Sequence, residues 1–251
     1  MGVNHHINPS YSQLKSFIED LPGKFDVSGK ILYNKRNVVK LFDIDGLPVV
    51  VKRYKVPLFV QRVAYTWFRP SKAKRAYLYA MKLKELCVST PEPFGYIETT
   101  RCGLFRQGYF LSSYTEHDSL KNHRDEMLAD RVFFDAYVRF LIEMHDRGFM
   151  HGDQNLTNIL FWKEDDDYRF EVIDINRSHF ISNPCQLECL KNLMRITRDR
   201  SLSGKIVGRY AEIRGWDVDE SIAYVNKQID KYERKRRIRR FYHKIFPKKH
   251  S

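Results

Sequence analysis

Two short segments near the middle of the chain constrain its fold more than any other feature. Residues 151–158 read His-Gly-Asp-Gln-Asn-Leu-Thr-Asn, and residues 172–176 read Val-Ile-Asp-Ile-Asn. Ile159 to Trp162 follow the first as an apolar run of strand type. Tyr168 to Ile173 lead into the second, alternating and then closing apolar, and Lys163-Glu164-Asp165-Asp166-Asp167 lies between as a polar turn. Two strands joined by a short polar loop predict a hairpin. Asn158 and Asp174 are equally far from Asp166, so an antiparallel pair is expected to bring them out side by side at its open end. Asp153 then sits in the loop just ahead of the first strand.

Three oxygen-bearing side chains gathered this way suit Mg²⁺, which takes one or two carboxylates plus substrate phosphates. The spacing H-x-D-x₄-N, followed by a lone Asp after a strand, supplies the parts of a kinase-type phosphoryl-transfer site using ATP. Asp153 is the candidate base, and Asn158 and Asp174 are the candidate metal ligands; His151 opens the motif. The competing reading is a surface hairpin with ordinary polar ends, and the joint pattern weighs against it.

The flanking sequence agrees. Phe133, Tyr137, Phe140, Leu141 and Met144 form one face of a helix over about 131–145, and Gly148 suits its C-terminal end. Earlier, Val49-Val50-Val51-Lys52 is a strand ending in a lysine, reached from Val38–Phe42 through a turn at Asp43-Ile44-Asp45-Gly46. Lys52 is thereby placed to meet nucleotide phosphates. Residues 109–115 read as a strand running into a polar stretch, the expected hinge, with adenine bonding the backbone near Ser113 to Thr115.

With HGDQNLTNILF (151–161), VIDINRSHF (172–180), TPEPFGYIE (90–98) and ECLKNLMRI (188–196), the chain resembles the lipopolysaccharide core-sugar kinase family, the Kdo and heptose kinases of Gram-negative bacteria. The loop alone also fits aminoglycoside-type and RIO-type kinases; TPEP and the Asp-x-Asn-Arg segment make the resemblance more specific. It runs from about residue 30 to about residue 210. It implies an α+β, bilobal protein-kinase-like fold. The small β-rich N-lobe would occupy about 25–112, the mainly helical C-lobe 116–226, and a basic amphipathic tail 227–251. It also implies phosphorylation of an inner-core sugar hydroxyl at the cytoplasmic membrane face. Asp153 would be the base, Asn158 and Asp174 the Mg²⁺ ligands, and Lys52 the phosphate-binding lysine.

The chain departs from typical kinases in several places. No G-x-G-x-x-G lies between Gly29 and Lys40; the turn there is Asn34-Lys35-Arg36-Asn37. Ile-Asn follows Asp174 where protein kinases have Phe-Gly, and Gly152 replaces the Arg of H-R-D. Active kinases pair the phosphate-binding lysine with a helix glutamate. The expected helix over 71–86 carries only Glu85, which is therefore the candidate partner of Lys52. Arg177 is a further candidate, for an anionic substrate group or for a structural carboxylate.

Charge is concentrated at one end. The formal net charge is +13, and residues 227–251 hold eleven Lys/Arg against Asp230 and Glu233. Within 234–249, Ile238, Phe241, Tyr242 and Ile245 match a helical apolar stripe, with Phe246 beside it. A basic amphipathic helix predicts binding to an anionic membrane surface. Packing on the large lobe and nucleic-acid binding are the alternatives, in that order. Cys87, Cys102, Cys185 and Cys189 form no C-x-x-C pair, so neither zinc nor a disulfide framework is expected. The N-terminus lacks an apolar signal core. The expectation is a cytoplasmic protein, peripheral at the inner membrane, acting on a lipid-linked sugar. The rival functions are a protein or small-molecule kinase, a catalytically inactive kinase-fold binding protein, and a membrane or RNA adaptor.

Overall fold

A computed structural model describes residues 2–245, with side chains placed through Tyr242. The chain divides into two compact units. The first holds residues up to Asp118 together with Glu171–Ser178, and the second holds Ser119–Phe170 and the chain from His179 onward.

The first unit is built on an antiparallel sheet. Its strands are β1 (Gly2–Ile7), β2 (Lys30–Asn34), β3 (Val38–Ile44), β4 (Leu47–Arg53), β5 (Pro93–Arg101) and β6 (Leu104–Ser113), in the order β1-β5-β6-β4-β3-β2. Helix α1 (Lys15–Lys24), with Leu14 just ahead of it, buries Leu14, Ile18 and Leu21 against Val49, Val51, Ile97 and Leu111. Residues 2–24 thus belong to this unit as well as those from 25 onward. The β3–β4 turn forms as its sequence predicts. Asp45 and Gly46 both have positive φ, 54° and 81°, the type I′ geometry that matches strand twist. Asp43 Oδ1 accepts the Gly46 N–H at 2.9 Å, and Ile44 pairs with Leu47. Because strand side chains alternate, burying Val49 and Val51 sends Lys52 to the opposite face.

On that opposite face lie α2 (Phe59–Trp67) and α3 (Lys72–Glu85). Ser71 caps α3 by accepting the Lys74 N–H at 3.2 Å. Ala73, Ala76, Tyr77, Ala80 and Leu83 form its buried stripe, in which small residues let the helix sit close to the sheet beside Tyr54 and Tyr96. Segment 171–178 is stitched to this unit. The Val172 N–H donates to Ser89 C=O at 3.0 Å, and Thr90 Oγ donates to Val172 C=O at 2.9 Å. The TPEP motif therefore anchors the strand end that leads to Asp174.

The second unit is mainly helical. It holds α4 (Arg124–Ala129), α5 (Arg131–Asp146), α6 (Gln186–Leu193), α7 (Arg200–Arg214) and α8 (Val218–Ile245). Short strands accompany it: β7 (Asp118–Ser119), β8 (Phe149–Met150), β9 (Ile159–Glu164), β10 (Asp167–Val172) and β11 (His179–Phe180), with β9 between β10 and β7 and β8 beside β11; Asp118 and the end of β10 from Glu171 belong to the first unit. The predicted helix and hairpin are both present. Asp130 caps α5, its Oδ1 accepting the Val132 and Phe133 N–H groups, and Phe133, Tyr137, Leu141 and Met144 are buried. Gly148 ends the helix at φ 74°, where a Cβ would lie 2.5 Å from Ile181 O. That close approach accompanies the bond from Ile181 N–H to Gly148 C=O at 2.9 Å, next to the β8–β11 pairing.

Helix α8 buries Ser221, Val225 and Ile229, one side of its first turns. From Asp230 through Tyr242 no residue is buried. Ile238, Phe241 and Tyr242 are 50%, 64% and 60% exposed, so the stripe expected over 234–249 does not pack where it is described. Residues 246–249, Phe246 among them, lie outside the described residues, and the side chain of Ile245 is not placed.

Candidate active site

The loop 151–158 is shaped by bonds to its own backbone. Asp153 donates its N–H to His151 Nδ1 at 3.1 Å, which fixes His151 as the neutral ring with its proton on Nε2. The Asp153 C=O accepts the Asn155 N–H at 2.9 Å and Asn158 Nδ2 at 2.8 Å. These bonds occupy the backbone of Asp153. They also hold the Asn158 amide by its NH₂ end, leaving its oxygen without a hydrogen bond among the described residues.

Behind the loop runs a buried chain of neutral groups. His145 and His151 are fully buried. Burial pushes the His145 pKa down to about 4, so the ring is neutral at ordinary pH. Asn192 Oδ1 lies 3.1 Å from His145 Nε2, and Tyr210 Oη lies 2.9 Å from Nδ1. A neutral ring satisfies both only if Tyr210 donates to Nδ1 and Nε2–H donates to Asn192. The Asn192 NH₂ then donates onward to His151 C=O at 3.1 Å. All donors point one way, an arrangement in which each bond polarises the next. Arg195 adds a bond to Gly152 C=O at 3.1 Å. The segment ECLKNLMRI thus supports the loop through Asn192 and Arg195.

The first unit gathers the other set of residues. Asp174 sits in the left-handed region (φ 56°, ψ 44°), which Asp tolerates better than most residues. Its Oδ1 accepts Lys52 Nζ at 2.8 Å and Asn176 Nδ2 at 2.6 Å. Lys52 also lies 5.5 Å over the Tyr54 ring. Burial, and then the Asp174 charge, hold the Tyr54 phenol neutral, well above its usual range. Lys72, in the first turn of α3, has its pKa lowered by burial and then by Arg36, Arg177 and Arg75, against the pull of Asp174. Arg75 Nε is buried with no hydrogen-bond partner. Lys72 thus lies in the field of Arg36, Arg177 and Arg75 while Lys52 is paired with Asp174, a cationic surplus suited to an anionic ligand carrying several charges.

Two expectations are corrected here. Glu85 is exposed at the far end of α3, off the buried stripe, and does not pair with Lys52; among the described residues the partner of Lys52 is Asp174. Ser113 cannot offer its N–H to adenine, because that group donates to Glu92 C=O at 2.9 Å while its hydroxyl accepts the Glu92 N–H at 2.9 Å. Tyr114 likewise spends its N–H on Pro48 C=O. Beyond them, the Thr115 hydroxyl accepts the His117 N–H at 3.3 Å.

Lys72, Arg75, Asn192 and His145 also contribute to these networks without a motif role in the sequence. One signal for the first two was available. No Asp or Glu occurs between Asp45 and Glu85, while that stretch carries ten Lys/Arg. Among the described residues, no three His, Cys, Asp or Glu form a metal-holding group. Mg²⁺ needs few protein ligands once phosphates are present. The Asn158 amide oxygen and the Asp174 carboxylate are oxygen donors of the required kind.

No curated protein matches the sequence. Among solved structures the chain is similar to one titled "WaaP in complex with acyl carrier protein". The likeness has a TM-score of 0.60 at 16% identity and covers 91% of this chain and 98% of that one. That likeness identifies the fold as protein-kinase-like. The description "Lipopolysaccharide kinase (Kdo/WaaP) family" matches residues 82–213, just over half of the chain and a span that includes the loop, Asp174 and Asn192. The chain therefore belongs to the lipopolysaccharide kinase (Kdo/WaaP) family, a family of kinases acting on lipopolysaccharide core.

Proposed function

We propose that the protein transfers the γ-phosphoryl group of ATP to a hydroxyl of an inner-core sugar, Kdo or heptose, with Mg²⁺ present. The observation that carries this reading is the cation cluster around Asp174. Lys52, Lys72, Arg75, Arg36 and Arg177 leave a net positive field that a triphosphate would neutralise. It offers phosphate contacts in place of the missing Gly-rich loop, and Asp174 takes the place of the helix glutamate beside Lys52. Lys52 holds the phosphates, and Asp174 keeps Lys52 oriented. Asn158 and Asp174 would hold Mg²⁺, whose charge would offset that of the phosphate oxygens. Asp153 orients the acceptor hydroxyl and takes its proton late, since the transition state is loose and positioning does most of the work. Adenine lies against the backbone at Thr115.

The test is transfer of labelled phosphate from ATP with purified lipopolysaccharide core, a casein-like protein and RNA as competing acceptors. Label should enter the core in preference to the others. Labelling of protein alone moves the reading to a protein kinase. Nucleotide binding without transfer to any acceptor moves it to an inactive binding protein, the reading favoured by the absence of a helix glutamate. The neighbour's complex makes an acyl carrier protein a partner to test by co-purification. Among the described residues no helix is long and apolar enough to cross a membrane. The unpacked stripe at Ile238, Phe241 and Tyr242, with its basic neighbours, supports peripheral attachment at an anionic surface.

A further inference from the structure

Helix α2 is amphipathic the wrong way round for a helix lying on a sheet. Its polar side faces the protein. Arg62 Nε donates to Phe105 C=O at 2.7 Å, and Thr66 Oγ accepts the Phe105 N–H at 3.0 Å. The Tyr65 ring meets the Phe105 ring edge-on, centroids 5.4 Å apart. None of its residues is buried. Phe59, Val60 and Trp67, on the other side, are 64%, 77% and 64% exposed, and the flanking Leu58 and Phe68 are 70% and 80% exposed. Single exposed apolar residues are ordinary, but a contiguous cluster of large ones marks an interaction surface.

Charge says what the surface meets. Lys55 and Arg69 beside the helix are exposed cations, Arg69 lying 4.9 Å over the Tyr65 ring of α2, and the chain carries no acid from Gly46 to Lys84. An apolar face flanked by exposed cations complements an anionic lipid surface, where apolar groups enter the acyl boundary and cations meet headgroups. With nine residues, α2 is far too short to span a bilayer and can only lie in its plane. We propose that the α2 face, from Leu58 to Phe68, docks the first unit onto an anionic phospholipid bilayer, as a contact independent of the C-terminal stripe. This fits a kinase whose acceptor is lipid-linked and in that respect rests on the function proposed above. Its test does not, because it needs neither ATP nor acceptor.

Full-length protein is mixed with phosphatidylglycerol–phosphatidylethanolamine vesicles whose acyl chains carry bromine, a contact quencher of tryptophan. Trp67 emission should be quenched there and unaffected by brominated phosphatidylcholine vesicles. Trp67→Phe should bind as the parent does yet lose most of the quenching, since Trp162 and Trp216 lie in the second unit. Phe59→Ser with Val60→Ser should weaken vesicle binding about tenfold or more, the loss expected from two large apolar groups. Vesicle binding that leaves Trp67 unquenched overturns the proposal, and so does parental affinity in the folded double variant. Trp67 emission that shifts with protein concentration without lipid gives the face to a second copy, and a shift on adding acyl carrier protein gives it to that protein; either also overturns the proposal. If the double variant does not fold, the Trp67→Phe comparison decides alone.

Discussion

The two units hold their functional residues by opposite means. In the first, Lys52 and Asp174 are a charged pair, partly open to solvent, in a surplus of cations. In the second, the loop carrying Asp153 is braced from behind by the neutral chain Tyr210–His145–Asn192. A charged cluster is tunable by ligand and salt and costs stability when empty, because like charges repel. A buried neutral chain is insensitive to salt but breaks if any member gains a charge or loses a partner. Binding a polyanion favours the first design, and holding a base in place favours the second.

The largest expected effect comes from the chemistry that the second unit positions. Asp153→Ala should lower transfer about 10²–10⁴-fold, the usual worth of a positioned base, while nucleotide affinity survives. Near-full activity in single-turnover assays would remove Asp153 from its role. In the first unit the effect should fall on binding instead. Each charge-assisted phosphate bond is worth about 1.5–3 kcal/mol, so Lys72→Met with Arg75→Met should raise the nucleotide Kd about a hundredfold. The same variant should raise the Tm of the nucleotide-free protein, because like-charge repulsion is relieved. Calorimetric titration and thermal unfolding together test this, and a lower Tm with unchanged Kd would make the cluster structural.

The units should also answer pH in opposite directions. His145 is held near 4, below its ordinary 6.5, so the unfolded chain binds more protons between these values. Stability from this site is full above about pH 6.5 and is lost as pH falls toward 4, in total on the order of 3 kcal/mol. Asn192→Leu should cost about 2–4 kcal/mol, by leaving His145 Nε2–H and His151 C=O unpaired, and should lower the transfer rate with little change in nucleotide affinity. Glu171, buried in the first unit, is pushed by burial from 4.5 up to about 7, against a hydrogen bond from Thr115. Here the folded state binds the extra proton, so stability is full below about pH 4.5 and is lost as pH rises through 7. Glu171→Gln should therefore stabilise the protein at pH 8 by about 1–3 kcal/mol and by almost nothing at pH 5. Hydrogen exchange read separately at 89–115 and 188–210 would show the opposing trends; parallel trends would abolish the contrast.

The local pieces are set by neighbours along the chain. The hairpin around Asp166, the helix under Phe133–Met144, the Asp45-Gly46 turn and the strand ending in Lys52 were legible because each is written in consecutive residues, as period or turn chemistry. Likewise the spacing alone offers Asp153, Asn158 and Asp174 as candidates. The tertiary structure decided who pairs with whom. Lys52 takes Asp174 rather than Glu85, since α3 buries its alanine stripe and leaves its last turn outside. Ser113 is spent on Glu92 because β5 and β6 pair as neighbours. His145, Asn192 and Tyr210 meet only because three helices pack together. The period of α2 marks an amphipathic helix, but which side turns inward was settled by Phe105, whose backbone groups take Arg62 and Thr66. Periodicity is a property of neighbours along the chain, whereas burial and charge pairing depend on distances that only the packed fold fixes.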